Sequence, residues 1–93
     1  MLIGSLQIDL YLHECFSLKE KRFILKSIKT RIRNRFNVSI AEIGYQDKWQ
    51  RCCLGVACVT NERKQIDKIM SKVMDVIDSD DRIETIEHVM EIL

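Results

Sequence analysis

Ninety-three residues, 46% of them hydrophobic and 31% charged, provide for one ordered domain over residues 1–93 with a single core, and exclude a disordered chain. No apolar run approaches the roughly 20 residues needed to cross a bilayer, and Met1-Leu2-Ile3-Gly4 lacks the basic start and cleavage site of a signal peptide, so a cytoplasmic protein without membrane contact is expected. The net charge of +1 conceals a polarity: residues 19–35 hold eight basic side chains against one acid, whereas residues 62–93 hold five basic and nine acidic ones.

Leu2, Leu6, Ile8, Leu10 and Leu12 alternate with Ser5, Gln7, Asp9 and Tyr11, the period of a strand with one buried face. Ser17-Leu18-Lys19-Glu20 has the order of a capping box and predicts the start of a helix. Leu18, Leu25, Ile28, Ile32 and Phe36 form its apolar stripe, with no glycine or proline to interrupt it. Residues 38–45 read as a second strand and residues 50–60 as a third, joined by the turn Gln46-Asp47-Lys48-Trp49. Asn61 is the expected cap of a second helix whose buried stripe is Ile66, Ile69, Met70, Val73, Val76 and Ile77, ending at Ser79-Asp80-Asp81. Residues 83–93 alternate imperfectly, with Ile86, Met90 and Ile92 on one side and Glu87, Val89 and Glu91 on the other, and predict a final edge strand.

The order β-α-β-β-α-β with one-sided helices is the split βαβ pattern: an α+β sandwich in which both helices cover one face of a four-stranded antiparallel sheet and leave the other open. Cys15, Cys52, Cys53 and Cys58 form no C-x-x-C pair, and His13 and His88 lie far apart, so neither a metal site nor a disulfide framework is expected. The thiols read as buried or half-buried small hydrophobes, with Cys15 the one to test for reactivity. No G-x-S-x-G, P-loop or H-E-x-x-H motif is present, Ser17 is better used as a cap than as a nucleophile, and Cys15 with His13 lacks an orienting third group. A non-catalytic protein without a cofactor is the expectation.

Four stretches, Ser17-Leu18-Lys19-Glu20-Lys21-Arg22, Arg35-Phe36-Asn37-Val38-Ser39-Ile40-Ala41-Glu42, Gln46-Asp47-Lys48-Trp49-Gln50-Arg51 and Leu54-Gly55-Val56-Ala57, together resemble the bacterial YlxP-like family of uncharacterised small proteins over nearly the whole chain. The resemblance implies a ferredoxin-like fold, in agreement with the pattern above. Because such proteins are often encoded beside translation initiation and ribosome-maturation factors, it also implies, by association, a place near the ribosome. It implies no activity, cofactor or catalytic residue.

Three surfaces are candidates for function. On a helix, Lys19, Arg22, Lys26, Lys29 and Arg33 fall on one side, beside the apolar stripe, and form a plausible footprint for the phosphates of ribosomal or other structured RNA; a merely solvated helix face is the bland alternative. Phe23 beside them would stack on an unpaired base or seal the sheet edge. At one end of the sheet the topology gathers the His13–Ser17 loop, the Trp49 hairpin and the Ser79-Asp80-Asp81 turn, where Ser17, Lys21 and Arg51 would compose an anion site, unless Asp47, Asp80 or Asp81 already neutralises those cations. On the open sheet face Arg51, Cys53, Gly55, Ala57 and Val59 point outward. With Trp49, the residues Cys53, Gly55 and Ala57 mark an interface for a homodimer, a protein partner or a small ligand.

Overall fold

The computed structural model describes residues 1–93. Its elements are β1 (Leu2–Leu12), α1 (Leu18–Arg35), β2 (Ser39–Gly44), β3 (Arg51–Thr60), α2 (Arg63–Asp78) and β4 (Ile83–Ile92). The sheet runs β2-β3-β1-β4 with every pair antiparallel, as the split βαβ pattern requires. Leu6, Ile8, Leu10 and Leu12 of β1 and Cys52, Leu54, Val56 and Cys58 of β3 turn to the helices and are buried. There they meet Ile24, Leu25, Ile28 and Ile32 of α1 and Ile66, Met70, Val73, Val76 and Ile77 of α2. Each fully buried Leu or Ile of this layer contributes about 1.5–3 kcal/mol, and together they hold the helices on the sheet.

Helix α1 begins as the sequence predicts: the Ser17 hydroxyl accepts a hydrogen bond from the Glu20 amide at 3.1 Å. The Glu20 carboxylate reaches back one residue further than in the usual capping box and accepts from the Phe16 amide at 3.1 Å. The start of α2 differs from expectation. Asn61 does not cap it; Glu62 holds the cap position without a side-chain bond, and the neighbouring Thr60 hydroxyl accepts from the Glu62 amide at 3.3 Å and donates to the Glu62 carbonyl at 2.8 Å.

β4 is an edge strand, and its imperfect alternation has a structural cause. The β1–β4 register shifts between Asp9, which faces Glu87, and Leu10, which faces Thr85, so Ile86 is the extra residue of a bulge. Ile83 and Thr85 therefore turn to the helices before the bulge, and His88, Met90 and Ile92 after it. Ile86 does not continue the Met90 and Ile92 face, as strict alternation would have it.

One glycine is required by close packing. A Cβ on Gly4 would lie 2.5 Å from Cγ2 of Ile66 and 3.1 Å from Sγ of Cys58, both buried core atoms with no room to retreat. Gly4→Ala is therefore expected to lower stability by about 1–3 kcal/mol through overpacking at the β1–α2 seam. Urea unfolding at equal slope measures this; an unchanged midpoint would mean that α2 moves away freely.

Candidate functional site

The side chains of the basic face of α1 stand where the helical spacing puts them. Lys19, Arg22, Lys26 and Arg33 are exposed and Lys29 is half-buried. Arg33 donates to the Ile40 carbonyl at 2.9 Å, which places this face of the helix beside the β2 edge of the sheet. The ion pairs of the molecule are Lys21 with Glu42, Arg31 with Asp80 and Arg82 with Asp80, so none of the five cations is neutralised by a carboxylate. The one acid of the helix, Glu20, is committed to the Phe16 amide. An 18-residue helix is about 27 Å long, and its outer surface is thus a row of positive charges without carboxylate partners. Phe23 lies among them, 72% exposed, and does not seal the sheet edge.

The predicted anion site is not assembled. Lys21 is 2% exposed; its ammonium donates to the Tyr45 carbonyl at 2.6 Å and the Lys48 carbonyl at 2.7 Å and forms an ion pair with the Glu42 carboxylate at 2.7 Å. Ser17 is occupied as the cap. Arg51 pairs with Tyr11, so its side chain leaves the sheet on the face away from α1, where its guanidinium lies 4.6 Å from the Tyr45 ring centre and donates to the Tyr45 hydroxyl at 3.3 Å. The neutralising acid for Lys21 is Glu42 rather than any of the three aspartates expected. Spacing contains the signal for Lys21: it stands three residues after Leu18 and four before Leu25, inside the apolar stripe.

The elements at this end of the sheet do converge. Leu12 donates to the Gln50 carbonyl at 2.9 Å and His13 to the Arg82 carbonyl at 2.9 Å, tying the end of β1 to both the hairpin and the turn before β4. Asp80 is the centre of that turn. It accepts from Arg31 of α1 at 2.7 Å and from Arg82 at 2.7 and 2.9 Å, and the Arg82 hydrogen bonds hold its carboxyl down at about 2 despite its burial. This cluster consumes Arg31 and removes it from the basic surface.

The four thiols are free. Cys15, singled out for reactivity, is fully buried, and its sulfur faces the Ser17 carbonyl at 3.5 Å. Burial, reinforced by the Glu42 carboxylate, pushes the Cys52 thiol up to about 12. Burial and a hydrogen bond with Asp9 push Cys53 up to about 11, and burial raises Cys58. At neutral pH these three remain thiols, which are poor nucleophiles.

On the open face Cys53 and Gly55 are half-buried and Ala57 is exposed. The bare Gly55 leaves a furrow into which Ile43 leans, its Cδ1 3.0 Å from where a Cβ would stand. Val59, Ile43 and Val89 are exposed at 62%, 50% and 48%, and Trp49 is 51% exposed on the hairpin. No helix is long and apolar enough to cross a membrane.

Comparison with known proteins agrees with this architecture. The chain is similar to the uncharacterised protein YlxP of Bacillus subtilis (strain 168), 48% identical over 83 residues that span 89% of this chain and 90% of that protein. Its fold is similar to the solution structure of a de novo designed protein with a ferredoxin fold, LFR1 1, at a TM-score of 0.54 and 9% identity, covering 98% of this chain and 86% of the design. The model of the family described as protein of unknown function DUF503 matches residues 3–90, and the chain belongs to that family.

Proposed function

We propose that this protein is a non-catalytic RNA-associated factor that meets structured RNA of the translation or ribosome-maturation machinery through α1. The observation that carries this reading is the row Lys19, Arg22, Lys26, Lys29 and Arg33, none of them within ion-pairing distance of a carboxylate, on one side of one rigid helix. A solvated face needs charge but not a single sign, and five like charges repel unless something negative meets them. Evenly spaced phosphates meet that need, and recognition would be of charge and shape, since the open sheet face has no aromatic platform on β3 for stacking bases.

The test is sedimentation of the chain with ribosomal particles on a sucrose gradient at low and moderate salt. Salt-sensitive co-migration is expected, with about one unit of salt slope lost per phosphate contact removed. Arg22→Glu with Lys26→Glu reverses two exposed charges one turn apart and should abolish co-migration while leaving the melting temperature unchanged. Equal binding by this variant would overturn the reading. A second reading, a homodimer or partner-binding module using the open face, is favoured by the exposed Ile43, Val59 and Val89; migration of a free dimer at both salts would select it.

A further inference from the structure

The two edges of the sheet are opposite in charge. The basic face of α1 stands by β2, whereas residues 83–93 contain no lysine or arginine. On the open face β4 presents Glu84, Glu87 and Glu91, opposite Tyr11, Asp9 and Ser5. On the helix face a groove of about 380 Å³ runs between β4 and α2, with Met70, Met74 and Met90 in it and Asp67, Asp75 and Asp78 along it. Asp78 is drawn over the strand by the Thr85 hydroxyl, which donates to it at 3.1 Å. Acid therefore lines both sides of one edge.

The backbone of that edge is unpaired over a defined stretch. Ile3 and Leu93 exchange both amide bonds, at 3.2 and 2.8 Å. In an antiparallel ladder bonded pairs recur at every second residue, which makes Ser5 with Glu91, Gln7 with Val89 and Asp9 with Glu87 the bonded pairs. The amides and carbonyls of His88, Met90 and Ile92 consequently point away from β1 into solvent, and the side chains of the same three residues lie on the groove side. An open edge beside an apolar groove is a template for another strand.

We propose that β4 and its groove along α2 form a docking site for an extended, lysine- or arginine-rich segment of a partner protein, added to the sheet as a further strand beside β4. Alternate side chains of such a segment reach the groove and the open face. Its cations meet Asp67, Asp75 and Asp78 on one side and Glu87 and Glu91 on the other, while its aliphatic residues or stems lie on the methionines, whose flexible thioethers adapt to varied shapes. A second copy of this chain is a poor occupant: pairing β4 with β4 about Val89 would set Glu87 of each molecule against Glu91 of the other, and any antiparallel pairing gathers both acidic rows on one face. The site is independent of α1 and lies at the opposite edge of the sheet.

The experiment is a nuclear magnetic resonance titration of the isotope-labelled full chain with a short capped peptide of alternating lysine and valine. The expected result is shifted and exchange-protected amides at His88, Met90 and Ile92, no binding by the glutamate–valine analogue, and loss of binding when alternate peptide amides are methylated. Asp67→Lys with Asp75→Lys, both at exposed positions, should weaken binding about tenfold or more with an unchanged melting curve. The proposal is overturned by shifts confined to α1 or the open face, by equal binding of the methylated peptide or of the double variant, or by no shift at about 1 mM peptide. Protection of the same edge amides by raising the concentration of the chain alone would also overturn it, in favour of self-pairing.

Discussion

Replacing Lys21 with methionine is expected to destabilise the protein by about 3–5 kcal/mol, the cost of removing one partner from a buried ion pair. Methionine fills nearly the same space but leaves the half-buried Glu42 carboxylate without its cation, and the Tyr45 and Lys48 carbonyls without the ammonium that joins them. Those carbonyls are the two ends of the β2–β3 turn, which also carries a backbone bond from Lys48 to Tyr45 at 3.0 Å. Tyr45 sits there at φ 59°, a left-handed conformation that costs a non-glycine residue roughly 1–3 kcal/mol and persists only when its surroundings hold it. The ammonium of Lys21 is one of the groups that hold it, so the hairpin should loosen before the core does. Trp49, the one tryptophan of the chain, lies on that hairpin and reports the event: its fluorescence polarisation should fall in the variant at temperatures where the far-ultraviolet dichroism is still native. Adding Glu42→Leu to Lys21→Met should recover much of the loss, because a buried pair replaced on both sides by apolar groups is often neutral. A single variant that loses less than about 1 kcal/mol would show that water enters and solvates Glu42 at little cost.

The same residue marks how far the sequence can be read. Strands β1 and β3 are legible because each buries one face without interruption, and α1 and α2 because their stripes keep helical spacing. The basic face of α1 follows from spacing alone, since the helix is regular and only Arg33 on that face is tied to another element, through the Ile40 carbonyl. Lys21 escapes because a lysine within an apolar stripe reads as an interruption, and its partners, Glu42 and two carbonyls of a turn, come from a different part of the chain. Three of the stretches that carry the family resemblance, those containing Lys21, Glu42 and Lys48, are thus joined by structural contacts and not by a shared anion. The start of α2 escapes because Asn61 and Thr60 are both competent to bond a nearby amide, and only the backbone path decides which does. β4 is blurred by the bulge at Ile86, which resets the alternation halfway along. Its groove is invisible to periodicity, because His88 and Met90 point toward the helices yet remain exposed where α2 does not reach.

Asp80 illustrates the remaining kind of hidden contact, a polar cluster in which Asp80 meets Arg31 from 49 residues away in the chain. It predicts a pH dependence of definite sign. The Asp80 side chain is 6% exposed and is held ionised by Arg82 and Arg31, so its carboxyl lies near 2 in the folded protein against 3.8 when free. A group whose folded value is depressed contributes stability that is fully present above the unfolded value and disappears as pH falls through the folded one. Because the two arginine side chains are more than a third exposed and their charges are screened by solvent, the contribution is about 1–2 kcal/mol. The expected result is that Asp80→Asn, which keeps the shape and loses the charge, is less stable than the native chain by this amount at pH 6. The gap should stay level down to about pH 4 and close between pH 4 and 2 as the native carboxylate takes up its proton. Urea midpoints of the two proteins measured at several pH values decide the matter: a gap that is constant to pH 2 would mean that Asp80 acts through its hydrogen-bonding shape alone, and a gap that widens toward acid would reverse the assigned sign.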